Sequence, residues 1–295
     1  ELTKVFLNPK LSFKYEFNNM FKINASGQYE QNIDNFENYY DNPVLSDYQS
    51  LFTMIAPMSV SDLTRANVRF TFNQPFYAIN SSLSYTYQHR NSDIIYKYDI
   101  DENGASYLQM IESPNTSDYH VINLNVKKFI SVIKMTIGLK ANLLHNTRHN
   151  ILNGSLVENK NISASIMPNM MVTIKHWAHF NYSFNFNNIQ TFSEDVKKSD
   201  VNYLRHYCKL NIFPHRDHLI TLNSEIYSHL GKNYIYFDAS YQYSIPKYKL
   251  DFELKCNNIF NNKLYVSYYS GAFSIVESIY EIRPMEIFLS VKFRF

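Results

Sequence analysis

The last eleven residues of the chain, Met285 to Phe295, change character at every step. Met285, Ile287, Leu289, Val291, Phe293 and Phe295 fall on one side of the alternation, and Glu286, Phe288, Ser290, Lys292 and Arg294 on the other. Successive side chains of a β-strand point to opposite faces, so a period of two predicts a strand with one apolar face and one mostly polar face. A β-strand needs about 9–11 residues to cross the hydrocarbon of a bilayer, and this stretch has that length. The pattern predicts lipid against one face and an aqueous lumen against the other.

The rest of the chain repeats it. Leu11, Phe13, Tyr15 and Phe17 alternate with Ser12, Lys14, Glu16 and Asn18, and after a turn at Asn18–Asn19 the pattern resumes from Phe21 to Tyr29. Further stripes run through Ala66–Phe72, Tyr77–Tyr87, Ile122–Val126, Ile133–Leu143, Ile162–Ile174, Ala178–Phe186, His206–Ile212, Ile220–Ile226, Ile235–Ile245 and Leu250–Cys256. Pro168 stands in register within one of them, and since proline has no N–H to give a ladder, a bulge or local break is expected there. The total is about 13 strands in hairpin order. Short connections near 18–20, 73–75, 128–131, 175–176, 214–218 and 246–247 alternate with longer ones near 31–62, 100–105, 145–159, 188–201 and 256–284. Outer-membrane barrels pair short periplasmic turns with longer outside loops. The expected architecture is all-β: an antiparallel up-and-down transmembrane β-barrel forming one domain over 1–295, with 31–62 as a long extracellular loop.

Composition is compatible with this and excludes little else. Mean hydropathy is −0.34 and apolar residues are 45% of the chain. No run approaches the roughly 18 apolar residues of a membrane helix, and a barrel keeps average hydropathy low because half of each strand faces water. A net charge of +2 gives no reason to invoke nucleic acid. A soluble β-sandwich would alternate in the same way. It would not place so many apolar stripes in unbroken hairpin order with no helix to cover them. Cys208 and Cys256 sit on apolar stripes of non-adjacent strands and read as packed thiols rather than a disulfide.

With short turns periplasmic, the first and last strands both descend. An antiparallel barrel with an even strand number does not close on an odd count, so at least one strand is expected to precede Glu1. The chain also starts without Met, which fits a cleaved leader or a longer chain.

At the C-terminus, Asn257-Asn258-Ile259-Phe260-Asn261-Asn262-Lys263-Leu264-Tyr265, then Arg283-Pro284, then Ile287 to Phe295, resemble the end of a TonB-dependent outer-membrane receptor of the Bacteroidetes type. Leu7-Asn8-Pro9 is similar to the opening of a mid-barrel strand in that family. The resemblance implies a 22-stranded barrel around an N-terminal plug, energised through the TonB complex, with a surface lipoprotein as a further partner. No part of this sequence matches the plug or the energy-coupling motif. The terminal aromatic Phe295 resembles the signal read by the barrel-assembly machinery. The function expected is uptake of a solute too large for porins, such as a glycan or siderophore; the alternative is an outer-membrane barrel with a structural or adhesive role and no energised import.

Nothing in the sequence calls for an enzyme, a cofactor or a metal. The pairs His145/His149, His176/His179 and His215/His218 have spacings that suit a metal on a helix, but they fall at turns and strand ends. Neither a Ser-His-Asp order nor a G-x-S-x-G motif stands out. Arg65, Arg69, Asp238, Asp251 and Glu253 are expected on the lumen wall. Tyr39, Tyr40, Tyr48, Tyr107, Tyr268, Tyr269 and Tyr280 are the candidate ligand contacts, because tyrosine offers stacking area together with a hydrogen bond.

Overall fold

The computed structural model describes residues 6–34, 42–47, 50–54, 59–229, 231–270 and 275–293, with side chains placed for all of these except 34, 46–47, 54, 59, 229, 267–270 and 275–276. In chain order the strands are β1 (Lys10–Glu16), β2 (Phe21–Asp34), β3 (Val44–Asp47), β4 (Ser50–Met54), β5 (Ser59–Gln74), β6 (Ile79–Ile100), β7 (Ser106–Ile130), β8 (Met135–Leu152) and β9 (Ser155–Ile174). They continue with β10 (Ala178–Ser193), β11 (Val196–Ile212), β12 (His218–His229), β13 (Lys232–Ile245), β14 (Leu250–Asn257), β15 (Leu264–Ser270), β16 (Ile275–Glu281) and β17 (Glu286–Phe293). Among the described residues the helical content is one 3-10 turn, Pro246–Tyr248.

The main sheet runs β1-β2-β5-β6-β7-β8-β9-β10-β11-β12-β13-β14-β17. Every neighbouring pair on this path is antiparallel. It is an up-and-down meander of thirteen strands, the number the periodicity predicts. The register carries one face from strand to strand. Ile23 pairs with Phe70, Phe70 with Leu83, Leu83 with Leu124, and Ile122 with Leu143. Further along, Leu210 pairs with Leu222, Leu222 with Ala239, Ala239 with Cys256, and Cys256 with Ile287. A slip of one residue anywhere would turn a whole stripe to the other face. The stripes Ile220–Ile226 and Ile235–Ile245 belong to one hairpin paired from His229↔Lys232 to His218↔Tyr243.

The apolar face stays uncovered by the described residues: Leu11 is 78% exposed and Leu289 73%. Among the described residues buried apolar side chains are few; apart from Ala178 beside the 175–177 turn they lie at the other end of the sheet, where Ile95 and Met110 are almost wholly enclosed. Cys208 and Cys256 are both free thiols. Pro168 pairs in register with Leu139 on β8. On the β10 side the ladder skips two positions between Asn169↔Ser183 and Ile166↔Phe186 and resumes in the same register. The missing N–H therefore interrupts the ladder without a bulge.

The two ends of the wall differ. At one end the connections are the expected short turns, and Asn18 closes the first by accepting hydrogen bonds at Oδ1 from the Met20 and Phe21 N–H groups (2.8 and 2.9 Å). At the far end, 145–159 and 188–201 are not loops. They are strand continuing into two-residue turns at Asn153–Gly154 and Glu194–Asp195. Asn153 and Gly154 both take positive φ (46° and 84°), as a type I′ hairpin requires. Strand β7 alone has 25 residues, roughly 80 Å of extended chain and well beyond a bilayer's thickness. On β8 the apolar face holds from Met135 to Leu143 and then turns polar at His145, Thr147 and His149. Period-two contrast vanishes where both faces are polar, so the pattern there reads as loop while the ladder simply continues.

At the far end of β14 the motif Asn257–Lys263 acts as a hydrogen-bond hub. The Asn258 amide Nδ2 donates to the carbonyls of Asn262 (2.7 Å) and Arg283 (2.9 Å), and its Oδ1 accepts from the Asn262 N–H (2.9 Å). Its backbone N–H donates to Asp238 Oδ1 at 2.8 Å, and Asn261 Oδ1 accepts from the Met285 N–H at 3.0 Å. One asparagine thus ties the exit of β14 to the entry of β17. Among the described residues no ladder joins β17 to β1. Twelve antiparallel steps leave these two edges running in the same direction. Asn258→Ala removes the partner of three part-buried backbone groups and is expected to destabilise the fold by about 1–3 kcal/mol, read as a lowered urea midpoint of the detergent-solubilised protein, whereas Asn80→Ala, outside the hub, leaves that midpoint unchanged.

Candidate functional site

Above the apolar band the β6–β7 hairpin leaves the plane of its neighbours. Its register shifts between Ser92 and Ile94, leaving Asp93, Ser113 and Pro114 out of the ladder. Bulges sharpen local twist, and two-stranded ribbons twist most. Below the bulge β6 borders β5, and β7 borders β8. Above it the edges exchange sides: β6 pairs with the tip of β8 (Lys97↔Ile151, Tyr98↔Leu152), and β7 pairs in parallel with β4 from Ser50↔Ser106 to Met54↔Met110. A half-turn of the ribbon about its own axis accomplishes this.

The turned ribbon is held on both edges. Asn153 of the β8–β9 turn donates its Nδ2 to the Ile100 carbonyl (3.2 Å) and accepts the Ile100 N–H at Oδ1 (2.8 Å), while its own N–H donates to the Tyr98 carbonyl (2.9 Å). On the other edge Thr53 Oγ1 donates to Tyr107 Oη (3.0 Å), and Ser106 Oγ donates to Ser50 Oγ (2.9 Å). Hydrogen bonding to Thr53, and then to Gln109, pulls the Tyr107 hydroxyl below the ordinary tyrosine range. Ile94 and Met110 form a small core beneath, packed by Phe52 and Tyr96.

Two cavities open where the ribbon turns. One of about 530 Å³ lies on the outward side, among Gln31, Asp62, Asn91, Asp93, His149 and Leu156. The other, about 280 Å³, lies on the polar face among Arg90, Ser117, Asn146, Arg148 and Asn150.

Just above the apolar band the outward side chains form a polar collar. Tyr87 Oη donates to Asp118 Oδ1, and His89 Nδ1 lies 2.8 Å from the same oxygen. The His89 contact, aided by Tyr87, holds the Asp118 carboxyl below its usual range against the opposing effect of burial. Tyr85 Oη meets His120 Nδ1 at 2.8 Å, and His120 stacks on His145 at 5.9 Å. Further along, Lys160 bridges Glu158 (2.8 Å) and Asp195 (2.6 Å), which raises its pKa, Asp195 contributing most.

A second structured patch lies on the polar face at the same end. The β15–β16 hairpin folds back over it, with Val266 buried. Arg205 Nη2 donates to Tyr265 Oη (2.8 Å), and Tyr236 Oη donates to the Leu264 carbonyl (3.0 Å). The Arg205 guanidinium also lies over the buried Tyr227 ring at 5.4 Å and beside Glu225 at 3.1 Å.

The residues singled out from sequence disperse across this structure. Arg65 and Arg69 are exposed on the polar face of β5, where Arg65 Nη2 donates to Gln88 Oε1 at 3.1 Å. Asp238 belongs to the hub, Asp251 is buried at the start of β14, and Glu253 accepts from Lys292 Nζ at 2.7 Å. Tyr280 is exposed on β16 opposite Tyr265. Tyr107 lies on the turned ribbon, far from Tyr280 in the strand order. Tyr39, Tyr40, Tyr48 and Phe295 lie outside the described residues, as do the side chains of Tyr268 and Tyr269. His145 and His149 fall within β8 rather than at a turn. Among the described residues no group of three metal-ligating side chains converges. Arg90, Arg148, Asn150 and Arg205 were not marked by sequence. Arg148 and Asn150 sit in the stretch that reads as loop, and only the ladder assigns them a face.

The wall has counterparts among solved structures. A mutant of the ferric enterobactin receptor from Pseudomonas aeruginosa superposes with a TM-score of 0.52 at 8% identity, over 90% of this chain and 44% of that one. Another mutant of the same receptor, in complex with enterobactin, gives 0.52 at 7% identity over 91% and 43%. The ferric yersiniabactin uptake receptor from Yersinia pestis gives 0.50 at 8% identity over 98% and 50%. In fold, this chain is similar to the barrel wall of TonB-dependent receptors. It spans half or less of the length of the receptors it matches. No protein-family model matches the sequence, and no curated protein matches it.

Asn153→Ala removes one edge of the ribbon's support. Limited proteolysis of the purified protein at the Asp101–Ala105 turn is expected to accelerate several-fold, with no change in yield of the protein; equal cleavage of wild type and variant would show that Asn153 does not hold the ribbon.

Proposed function

We propose that this chain forms part of the wall of an outer-membrane receptor that takes up a solute through a TonB-dependent cycle. The observation that carries the reading is the continuous apolar face, about as high on each strand as a bilayer's hydrocarbon, on a thirteen-strand meander whose fold is that of receptor walls. Lipid covers the apolar face and water fills the polar side. The short turns are periplasmic, and the long ribbons with 31–62 form the extracellular rim. Phe17, Phe21, Phe72, Tyr77, Trp177 and Tyr243 gather at the short-turn end, where an aromatic girdle belongs.

Two parallel edges close in antiparallel fashion only through an odd number of further strands. A 22-stranded receptor wall leaves about nine to supply. The plug, the contact with the TonB complex, insertion by the barrel-assembly machinery through Phe295 and docking of a surface lipoprotein belong to the same reading. So does the finer likeness to Bacteroidetes-type receptors. Lumen-side contacts to solute would come from Arg65, Arg69, Asp238, Asp251 and Glu253, with Tyr39, Tyr40, Tyr48, Tyr107, Tyr268, Tyr269 and Tyr280 at the rim. The ferric siderophores named for the matched receptors are one solute class, and glycans are another.

Growth of the native organism on candidate solutes, with and without this gene, tests the reading. Uptake should depend on the gene and stop when a protonophore collapses the inner-membrane gradient. Gene-dependent surface attachment with no gradient-sensitive uptake would instead make the protein a structural or adhesive barrel.

A further inference from the structure

Four residues form a row across the polar face directly below the turned ribbon. Arg90 pairs with Ser117, Ser117 with Arg148, and Arg148 with Asn159. The two arginines therefore flank a serine two strands apart, about 10 Å between Cα atoms. Both line the 280 Å³ cavity, and among the described residues its lining includes no carboxylate. Asn150 also lines it and is only 1% exposed, yet neither of its amide atoms has a hydrogen-bond partner. Arg148 Nε and Asn115 Oδ1 are likewise buried without partners, although Asn115 Nδ2 donates to the His149 carbonyl at 3.2 Å.

Such groups are costly. A buried donor or acceptor left unsatisfied costs about 1–3 kcal/mol, more for a charged group, and native interiors rarely tolerate several together. Other asparagines of the same face, Asn125, Asn181, Asn185 and Asn223 among them, also hold a buried amide atom without a partner, so the asparagines alone do not mark a site. What sets this place apart is that its asparagines stand beside two guanidinium groups around one half-open cavity, and that Arg148 Nε is itself buried without a partner.

We infer that this cavity is a subsite for an anionic oxygen head group, a phosphate or carboxylate, carried on a hydroxylated solute. The planar guanidinium fork matches both anions in bidentate fashion. Ser117 and the Asn150 amide supply donors and acceptors for neighbouring hydroxyls. Ile94 and Met110 form an apolar wall that excludes water and strengthens the charge interaction. The volume suits one head group with an attached ring rather than a whole large solute. This inference rests on the receptor reading, since it needs the polar face to be open to the outside of the cell.

The test uses the full-length protein purified in detergent and titrated calorimetrically with inorganic phosphate, glucose 6-phosphate and glucose. The wild type should bind both phosphates and not glucose, more weakly at high salt. Arg148→Gln should weaken glucose 6-phosphate binding about tenfold to a hundredfold, and Arg148→Lys should retain part of it. Asn150→Leu, with the same branching and number of side-chain heavy atoms, should weaken glucose 6-phosphate more than inorganic phosphate, because it removes hydroxyl contacts and leaves the charge. Heat-modifiable gel mobility confirms folding of each variant, and Asn150→Leu keeps the test open should Arg148→Gln fail to fold. Glucose binding as tight as glucose 6-phosphate, or folded variants that bind as the wild type does, would overturn the subsite. Gradient-dependent uptake that persists alongside such a result would leave the receptor reading standing and remove this inference alone.

Discussion

The structure depends on one constraint: in an antiparallel ladder, a residue and its partner point to the same face. Once Leu83 faces one side, so must Leu124, Phe70 and every partner beyond them. Thirteen strands whose register shifts only beyond the apolar band, at Ser92/Ile94 and Thr191/Phe192, therefore convert a local period of two into a surface apolar on one side and polar on the other. Backbone hydrogen bonds are satisfied between strands, so neither face needs a second layer of protein. On the receptor reading, this is what would allow a wall with few buried apolar side chains among the described residues to stand against lipid, where unpaired N–H and C=O groups would each cost several kcal/mol.

The same constraint explains which parts were legible. Stripes such as Met135–Leu143 and Ile235–Ile245 alternate strongly, as two faces in different surroundings require, and the strand number and order follow from them. Above the band both faces meet water, so His145 to Leu152 and Asn188 to Ser193 carry no alternation and read as loops. The ladder runs on through them regardless, because hydrogen bonding is indifferent to side-chain polarity. Pro168 shows the converse: its chemistry announces a defect, but strong neighbours on both sides keep the register.

The candidate site was less legible, for a related reason. Arg90, Ser117 and Arg148 are far apart in sequence and become neighbours only when β6, β7 and β8 pair. The exchange of edges above Ser92 has its local signal in Asp93, Ser113 and Pro114, which break alternation without saying where the ribbon goes. Tyrosine-rich loops drew attention because tyrosine is versatile, yet Tyr107 spends its hydroxyl on Thr53, within the fold. By contrast Asn258 sits in the stretch that carries the family resemblance, and its bonds to Asn262, Arg283 and Asp238 give that motif a structural role at the junction of β14 and β17.

The central claim is that adjacent residues of one strand face lipid and water in turn. Single cysteines placed along β8 from Met135 to Asn150, with Cys208 and Cys256 replaced by serine, can be reacted in isolated outer membranes with a membrane-impermeant maleimide. From 135 to 143 even positions should label and odd positions should stay protected, and from 145 onward protection of odd positions should disappear. Equal labelling at Asn142→Cys and Leu143→Cys would contradict the account.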